Sequence, residues 1–156
     1  MKRYSWKYMA GLIDGEGCID MQGSKDKRDN TFYCRPRLRL TLSGTAGELL
    51  IPQFIANFGG NFDHKKRQFD NPNWAPAYSW CVTNKTALRK FLQNITNHLV
   101  IKKEQAKFAI WWIDNVMGKH VTEKVRRLGV SELKAMKRDP QRLSETAVHN
   151  ILEIMC

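Results

Sequence analysis

The sequence predicts an α+β fold in the order helix, strand, strand, helix, strand, strand, followed by further helices. Three observations lead to it. Cys18–Ser24 and Thr31–Ser43 alternate apolar and polar residues with the period of a strand, and 61–67 and 78–83 repeat the pattern after an intervening helical stretch. The remaining runs carry capping residues and helical spacing. At 156 residues with 42% hydrophobic composition, the chain suits one domain with a real core.

Ser5 is placed to cap a helix through WKYMAGLIDGEG, with Gly17 expected to close it in the left-handed conformation. In the next strand Ile19 and Met21 face one side and Asp20, Gln22 and Ser24 the other, before a polar turn SKDKRDN. The return strand sets Leu38, Leu40 and Leu42 against Arg35, Arg37, Arg39 and Thr41. Three arginines on one sheet face are expected to repel one another, a repulsion that a polyanion would relieve. Pro36 predicts an edge or a bulge in this strand.

Thr45 and Glu48 predict a capping box for the helix LLIPQFIANF, which Gly59-Gly60 would end. Pro52 leaves two readings, a kinked helix or one that begins near Pro52. In the second hairpin Asn61, Asp63, Lys65 and Arg67 oppose Phe62, and Ser79 and Cys81 oppose Tyr78, Trp80 and Val82. Helices are then expected over 85–99 and 102–117, a basic segment over 119–142, and a last helix capped by Ser144. Phe108, Trp111, Trp112 and Trp80 read as core, while Trp74 lies in a loop.

The charge is the unusual quantity. There are 26 basic against 15 acidic residues, a net +11. Nine basic residues face five acidic up to Ser43, six face three to Val100, and eleven face seven beyond, so the charge belongs to the folded body. It points to phosphate backbones or an anionic membrane surface. No apolar run is long enough to span a bilayer and the N-terminus lacks a signal-peptide core, so an intracellular protein is expected. Four cysteines without a C-x-x-C pair read as reduced thiols, and the histidines keep no zinc-ligand spacing.

Chemistry concentrates in Met9 to Gly17. Gly11 and Gly15 are one helical turn apart with Ala10 beside them, a face bare enough for the same helix of a second copy to pack on it across a twofold axis. Asp14 and Glu16 sit at a helix C-terminus, which is already negative, so a positive partner is expected there. The Glu16 carboxylate and the Gly15 carbonyl are hard oxygen donors suited to Mg²⁺. Two copies would bring two such sites together for phosphodiester hydrolysis. The plain alternative is that both acids are capping or solvated carboxylates.

MAGLIDGEG resembles the signature of the LAGLIDADG homing endonucleases, differing at three of nine positions by similar residues. The helix, strand and strand that follow, and VIKKEQA leading the helix after the second hairpin, resemble the same family over about residues 5–117. The resemblance implies an αββαββα core with an antiparallel, saddle-shaped sheet in a single 1–156 domain, extended by basic helices over 118–156. It implies Glu16 as metal-binding catalytic acid, Gly15 as a ligand through its carbonyl, and Asp14 as an inner acid bracing helix ends at a dimer axis formed with Ala10, Gly11 and Gly15. Lys102 matches the basic residue near the scissile phosphate, with Lys103 as the alternative register. Thr45 is the best match, within 43–46, to a polar pocket residue. Glu16 stands where the family more often has Asp.

On that resemblance the polar sheet face reads double-stranded DNA. Arg37 and Arg39 suit guanine, Gln22 adenine, and Asp20 or Asp63 the cytosine amino group. Ser24, Arg35, Thr41, Ser43, Asn61, Lys65, Arg67 and Ser79 complete that surface, and the basic segment 119–142 grips phosphates. The reading is a homodimeric, site-specific DNA endonuclease of a mobile intron, using Mg²⁺ with Mn²⁺ as substitute, in an organelle or a prokaryotic or phage-infected cell. The alternatives are an RNA-binding intron maturase and a cleavage-deficient DNA-binding relative.

Overall fold

The computed structural model describes residues 2–65 and 73–156. Helix α1 (Trp6–Glu16) runs into β1 (Gly17–Lys25) and β2 (Phe32–Ser43), then α2 (Gly44–Phe58), β3 (Asn61–Lys65) and β4 (Ala77–Val82). α3 (Lys85–Ile95), a 3₁₀ turn (Thr96–His98), α4 (Lys103–Asn115), α5 (Glu123–Arg138) and α6 (Ser144–Met155) complete the chain. The strands form one antiparallel sheet in the order β1-β2-β4-β3. The sheet and helix order match the expected α+β architecture. Arg67 lies outside the described residues, and of Lys65 only the backbone is described.

One sheet face is core. Ile19, Leu38, Leu40, Trp80 and Val82 are fully buried against Met9, Ala10 and Ile13 of α1, Ile51 and Phe54 of α2, and the apolar sides of α3 and α4. A second cluster joins Met21 of β1 to Phe108 and Trp112 of α4, Val125, Leu133 and Met136 of α5, and Ala147 and Ile151 of α6. The C-terminal helices thereby extend the core along the apolar face of the first hairpin, beside β1, the edge strand of the sheet. Gly129 of α5 lies over the Trp112 ring, where a Cβ would come within 2.4 Å of ring carbons. A Gly129→Ala variant is expected to lose about 1–3 kcal/mol by overpacking despite better helix propensity, lowering Tm by about 2–12 °C in a thermal melt.

Several local expectations are corrected. Ser5 caps α1 as expected, accepting from Tyr8 N at 3.1 Å. Gly17, however, is extended (φ −84°, ψ 168°). Glycine is required there for space, since a Cβ would sit 2.9 Å from the Ile13 backbone. Thr45 and Glu48 form no capping box: α2 starts at Gly44, whose φ of +63° turns the chain directly out of β2 and whose N–H donates to Pro76 O. Pro52 lies inside α2 and neither starts nor ends it. The roughly 3 kcal/mol that an internal proline costs is offset by burying Ile51 and Phe54 completely beside it, at about 2 kcal/mol each. Pro36 lies where β2 pairs with β1 but not with β4, whose pairing begins at Leu38, so this part is an edge. Ser144 is the first residue of α6 and not its cap; the Glu104 carboxylate reaches across from α4 to accept its N–H at 2.9 Å. All four cysteines are free, and burial pushes the Cys34 thiol up to about 11. Among the described residues no helix is long and apolar enough to cross a membrane.

Candidate functional site

The site begins where α1 meets the sheet. Because β1 follows α1 without a linker, Glu16 is held at the sheet end, exposed, and in no ion pair among the described residues. Asp14 turns inward. Its carboxylate accepts from Val100 N at 2.7 Å and Lys102 N at 3.0 Å, at the turn that opens α4. Lys102 answers with its ammonium, donating to Ile13 O at 2.8 Å and Asp14 O at 2.6 Å. Each helix end thus receives the charge its dipole favours: a carboxylate at the N-terminus of α4 and an ammonium at the C-terminus of α1. The expected positive partner of the acidic helix end is this lysine, and Lys102 is the residue that meets it, with Lys103 one position into α4. Burial pushes the Lys102 pKa down; the charges of Asp14, Cys18 and Glu16 oppose that shift, and Lys137 adds to it.

Gly11 and Gly15 are exposed, and a Cβ at either would meet nothing within 4 Å. Ala10 is the exception in this group: it is fully buried in the chain's own core, since it points to the sheet side of α1, and so is not open for a partner. Thr45 is exposed at the start of α2 and forms no hydrogen bond with Glu16 or Lys102.

The second sheet face is polar and internally paired. Register sets Asp20 opposite Arg37, and the pair is bidentate at 2.9 Å on both arms, with Arg39 adding a contact to the same carboxylate at 3.2 Å. Arg35 donates to Gln22 at 3.2 Å. The expected mutual repulsion of the three arginines is therefore corrected, because β1 supplies an acceptor directly across the strand pair. The Nε of Arg39 is buried without a hydrogen-bond partner among the described residues. Ser79 is also corrected: it is 1% exposed and its hydroxyl pairs with Thr41 at 2.7 Å, so it supports the face from beneath. Ser24, Arg35, Ser43, Asn61 and Asp63 are exposed.

Burial pushes the Asp20 carboxyl up, but the hydrogen bond and charge of Arg37, with Arg39 and Lys137, pull it below its ordinary value of 3.8. A carboxylate depressed in the folded state stabilises fully above its unfolded value and loses that contribution as pH falls through the folded value. Asp20→Asn is expected to cost on the order of 2–3 kcal/mol at neutral pH. In denaturant melts that difference should stay flat from about pH 8 to 5 and shrink below about pH 4; a gap that persists at about pH 2 would show that the ion pair is not its source.

Lys137 of α5, inside the basic segment expected to grip phosphates, reaches the β1 strand, a placement the sequence did not single out, with its ammonium 3.1 Å from Cys18 Sγ. The available signal was the helical spacing of Arg127, Lys134 and Lys137 along one side of α5. As for a metal, no cluster of three ligating side chains exists among the described residues. At the end of α1 the groups placed to hold one are the exposed Glu16 carboxylate and the neighbouring Gly15 carbonyl. These hard oxygens fit Mg²⁺, which takes one or two carboxylates and keeps several waters.

A sequence model described as LAGLIDADG endonuclease matches residues 9–113. The chain belongs to this family. No curated protein sequence matches it. Among solved structures, the homing endonuclease I-CvuI, described in complex with the I-CreI target in the presence of Mg with the DNA not cleaved, is 19% identical. It covers 96% of this chain and 93% of its own at a TM-score of 0.69. The homing endonuclease I-TnaI is 19% identical, with 98% and 99% covered and a TM-score of 0.62. The archaeal intron-encoded homing endonuclease I-Vdi141I, complexed with DNA, is 18% identical, with 95% and 94% covered and a TM-score of 0.66. At these identities the likeness is one of fold, and it spans the C-terminal helices beyond the stretch that the family model matches.

Proposed function

We propose that the protein is a site-specific DNA endonuclease that acts as a homodimer with a divalent metal ion and belongs to a mobile intron. The observation that carries this reading is the exposed Glu16 carboxylate, in no ion pair among the described residues, at the end of a helix whose Gly11 and Gly15 face open space. A second copy packed on that glycine face sets two Glu16 carboxylates side by side, as cutting both strands of a duplex requires. Each Glu16 carboxylate and Gly15 carbonyl would hold Mg²⁺, or Mn²⁺ in its place. The bound ion supplies Lewis-acid activation of water and stabilisation of the leaving oxygen.

The chain's own residues do the rest. Asp14 and Lys102 clamp α1 to the start of α4 and so fix where Glu16 stands. Thr45, at the same end of the sheet, is the residue of 43–46 that the family resemblance favours as the polar pocket residue. Arg37 and Arg39, held by Asp20, and Arg35, held by Gln22, present guanidinium groups in fixed orientations to base edges in the major groove. Paired arginines of this kind lose less conformational freedom when DNA arrives. The test is incubation with Mg²⁺ of a linear duplex carrying the joined exons that flank the gene's intron. Discrete double-strand cutting is expected. Tight binding of the intron RNA with no cutting of the DNA would overturn this reading in favour of a maturase.

A further inference from the structure

Between α5 and the β1 edge runs a groove of about 450 Å³ whose walls include Asp20, Arg37, Arg127, Lys134 and Lys137. Its cations are not equivalent. Arg37 is held by Asp20. Arg127 is paired with Glu123 and lies over the Phe32 ring, 4.4 Å from its centroid. Lys134 and Lys137 form no ion pair among the described residues. Lys137 lies at the end of the groove nearest Glu16, since its ammonium meets Cys18, two residues along the chain.

The two lysines near the Glu16 turn are engaged very differently. Lys102 donates to two backbone carbonyls at a helix C-terminus, strong acceptors that hold it against the fold. Among the described residues the hydrogen-bond partner of Lys137 is a thiol sulfur, a weak acceptor. A phosphate oxygen is the better partner for an ammonium, because both groups are ionised. The position in the last turn of α5 also suits the helix dipole, but that benefit needs no contact with the sheet.

We propose that Lys137 contacts a DNA phosphate beside the Glu16 turn, its ammonium leaving the Cys18 sulfur for a phosphate oxygen at the end of the cationic groove. α5 then forms the outer wall of the DNA site, and the C-terminal helices belong to the substrate-binding surface as well as to the core. This contact rests on the reading of the protein as a DNA endonuclease, so binding and cutting are measured separately.

The probe is a duplex enriched from a randomised library by the wild-type protein, with binding measured across a salt series without divalent metal. Removing one phosphate contact lowers the slope of log affinity against log salt by about 0.9. For Lys137→Met, the wild-type advantage in affinity should therefore shrink about 3.5-fold between roughly 50 and 200 mM salt. The loss should be the same on the enriched duplex and on a shuffled one, because phosphates carry no sequence information. Lys137→Arg should keep the wild-type slope, and Lys137→Glu should lower it further. Because Lys137 is exposed and its charge is the smallest of the influences on Asp20, the Met and Arg variants should melt close to the wild type, while the Glu variant should melt slightly lower. Wild-type slopes in both the Met and Glu variants overturn the contact. A wild-type protein that binds but does not cut with Mg²⁺ overturns the endonuclease reading alone, and the slopes still decide Lys137. A wild-type protein that enriches no duplex overturns both.

Discussion

Glu16→Gln is expected to abolish cleavage while leaving folding and DNA binding intact. Glutamine keeps the shape and one carbonyl oxygen but removes the charge, which is what a divalent ion and a developing negative transition state depend on. Losing several kcal/mol of transition-state stabilisation, at about 1.36 kcal/mol per tenfold, predicts a fall of at least about 10²–10³ in single-turnover rate. Glu16 forms no ion pair among the described residues, so the thermal midpoint should not move. Binding should hold or tighten, because a negative charge facing phosphates has been removed. Gel-resolved cutting beside a binding titration gives both readouts. Equal cutting by the two proteins would sink the role assigned to Glu16, and a parallel loss of binding would show that the substitution had acted on the fold.

Gly11→Leu should convert a dimer into a folded monomer. A Cβ at this position meets nothing within 4 Å, so the substitution cannot crowd the chain's own core. In isolation it should slightly stabilise α1, by up to about 1 kcal/mol of helix propensity. On a helix face that another backbone must approach, a leucine side chain forces the two helices apart. A loss of at least about 3 kcal/mol, or some 10²-fold or more in dimer affinity, is the scale expected at a packed interface centre. Sedimentation equilibrium distinguishes the 18.1 kDa chain from its dimer. The variant should sediment as a monomer, melt no lower than the wild type at matched chain concentration once dimer stabilisation is subtracted, and make no double-strand breaks. A wild-type protein that is monomeric with and without DNA would remove the basis of the paired site.

Much of the fold was legible because its signals are local. Alternation along Leu38, Leu40 and Leu42 named the buried face of β2, and the opposite parity of Arg35, Arg37 and Arg39 named the polar one. Both follow from a side-chain period that packing does not change. The signals that misled were local too. Thr45 and Glu48 had the spacing of a capping box, but Gly44 turned the chain one residue earlier, and a positive φ is invisible in composition. Ser144 looked like a cap, yet the acceptor came from Glu104, 40 residues earlier. The electrostatics were least legible. That three arginines share a face is a statement about one strand; that Asp20 lies between two of them depends on the register of a neighbouring strand. Lys137 was hidden for the same reason, since where a cation on α5 points is settled by how Gly129 seats that helix on Trp112.

The clasp between Asp14 and Lys102 joins positions 88 residues apart. During synthesis α1 and the first hairpin leave the ribosome long before residue 102 exists, and closing so long a loop is slow compared with forming a helix or a hairpin. Until the clasp closes, the α1 C-terminus has no lysine to hold its carbonyls, and Glu16 is placed only by the junction of α1 with β1. A nascent or truncated chain thus carries the acid without the geometry. An unfinished chain therefore has Glu16 but not the lysine that ties the end of its helix to α4.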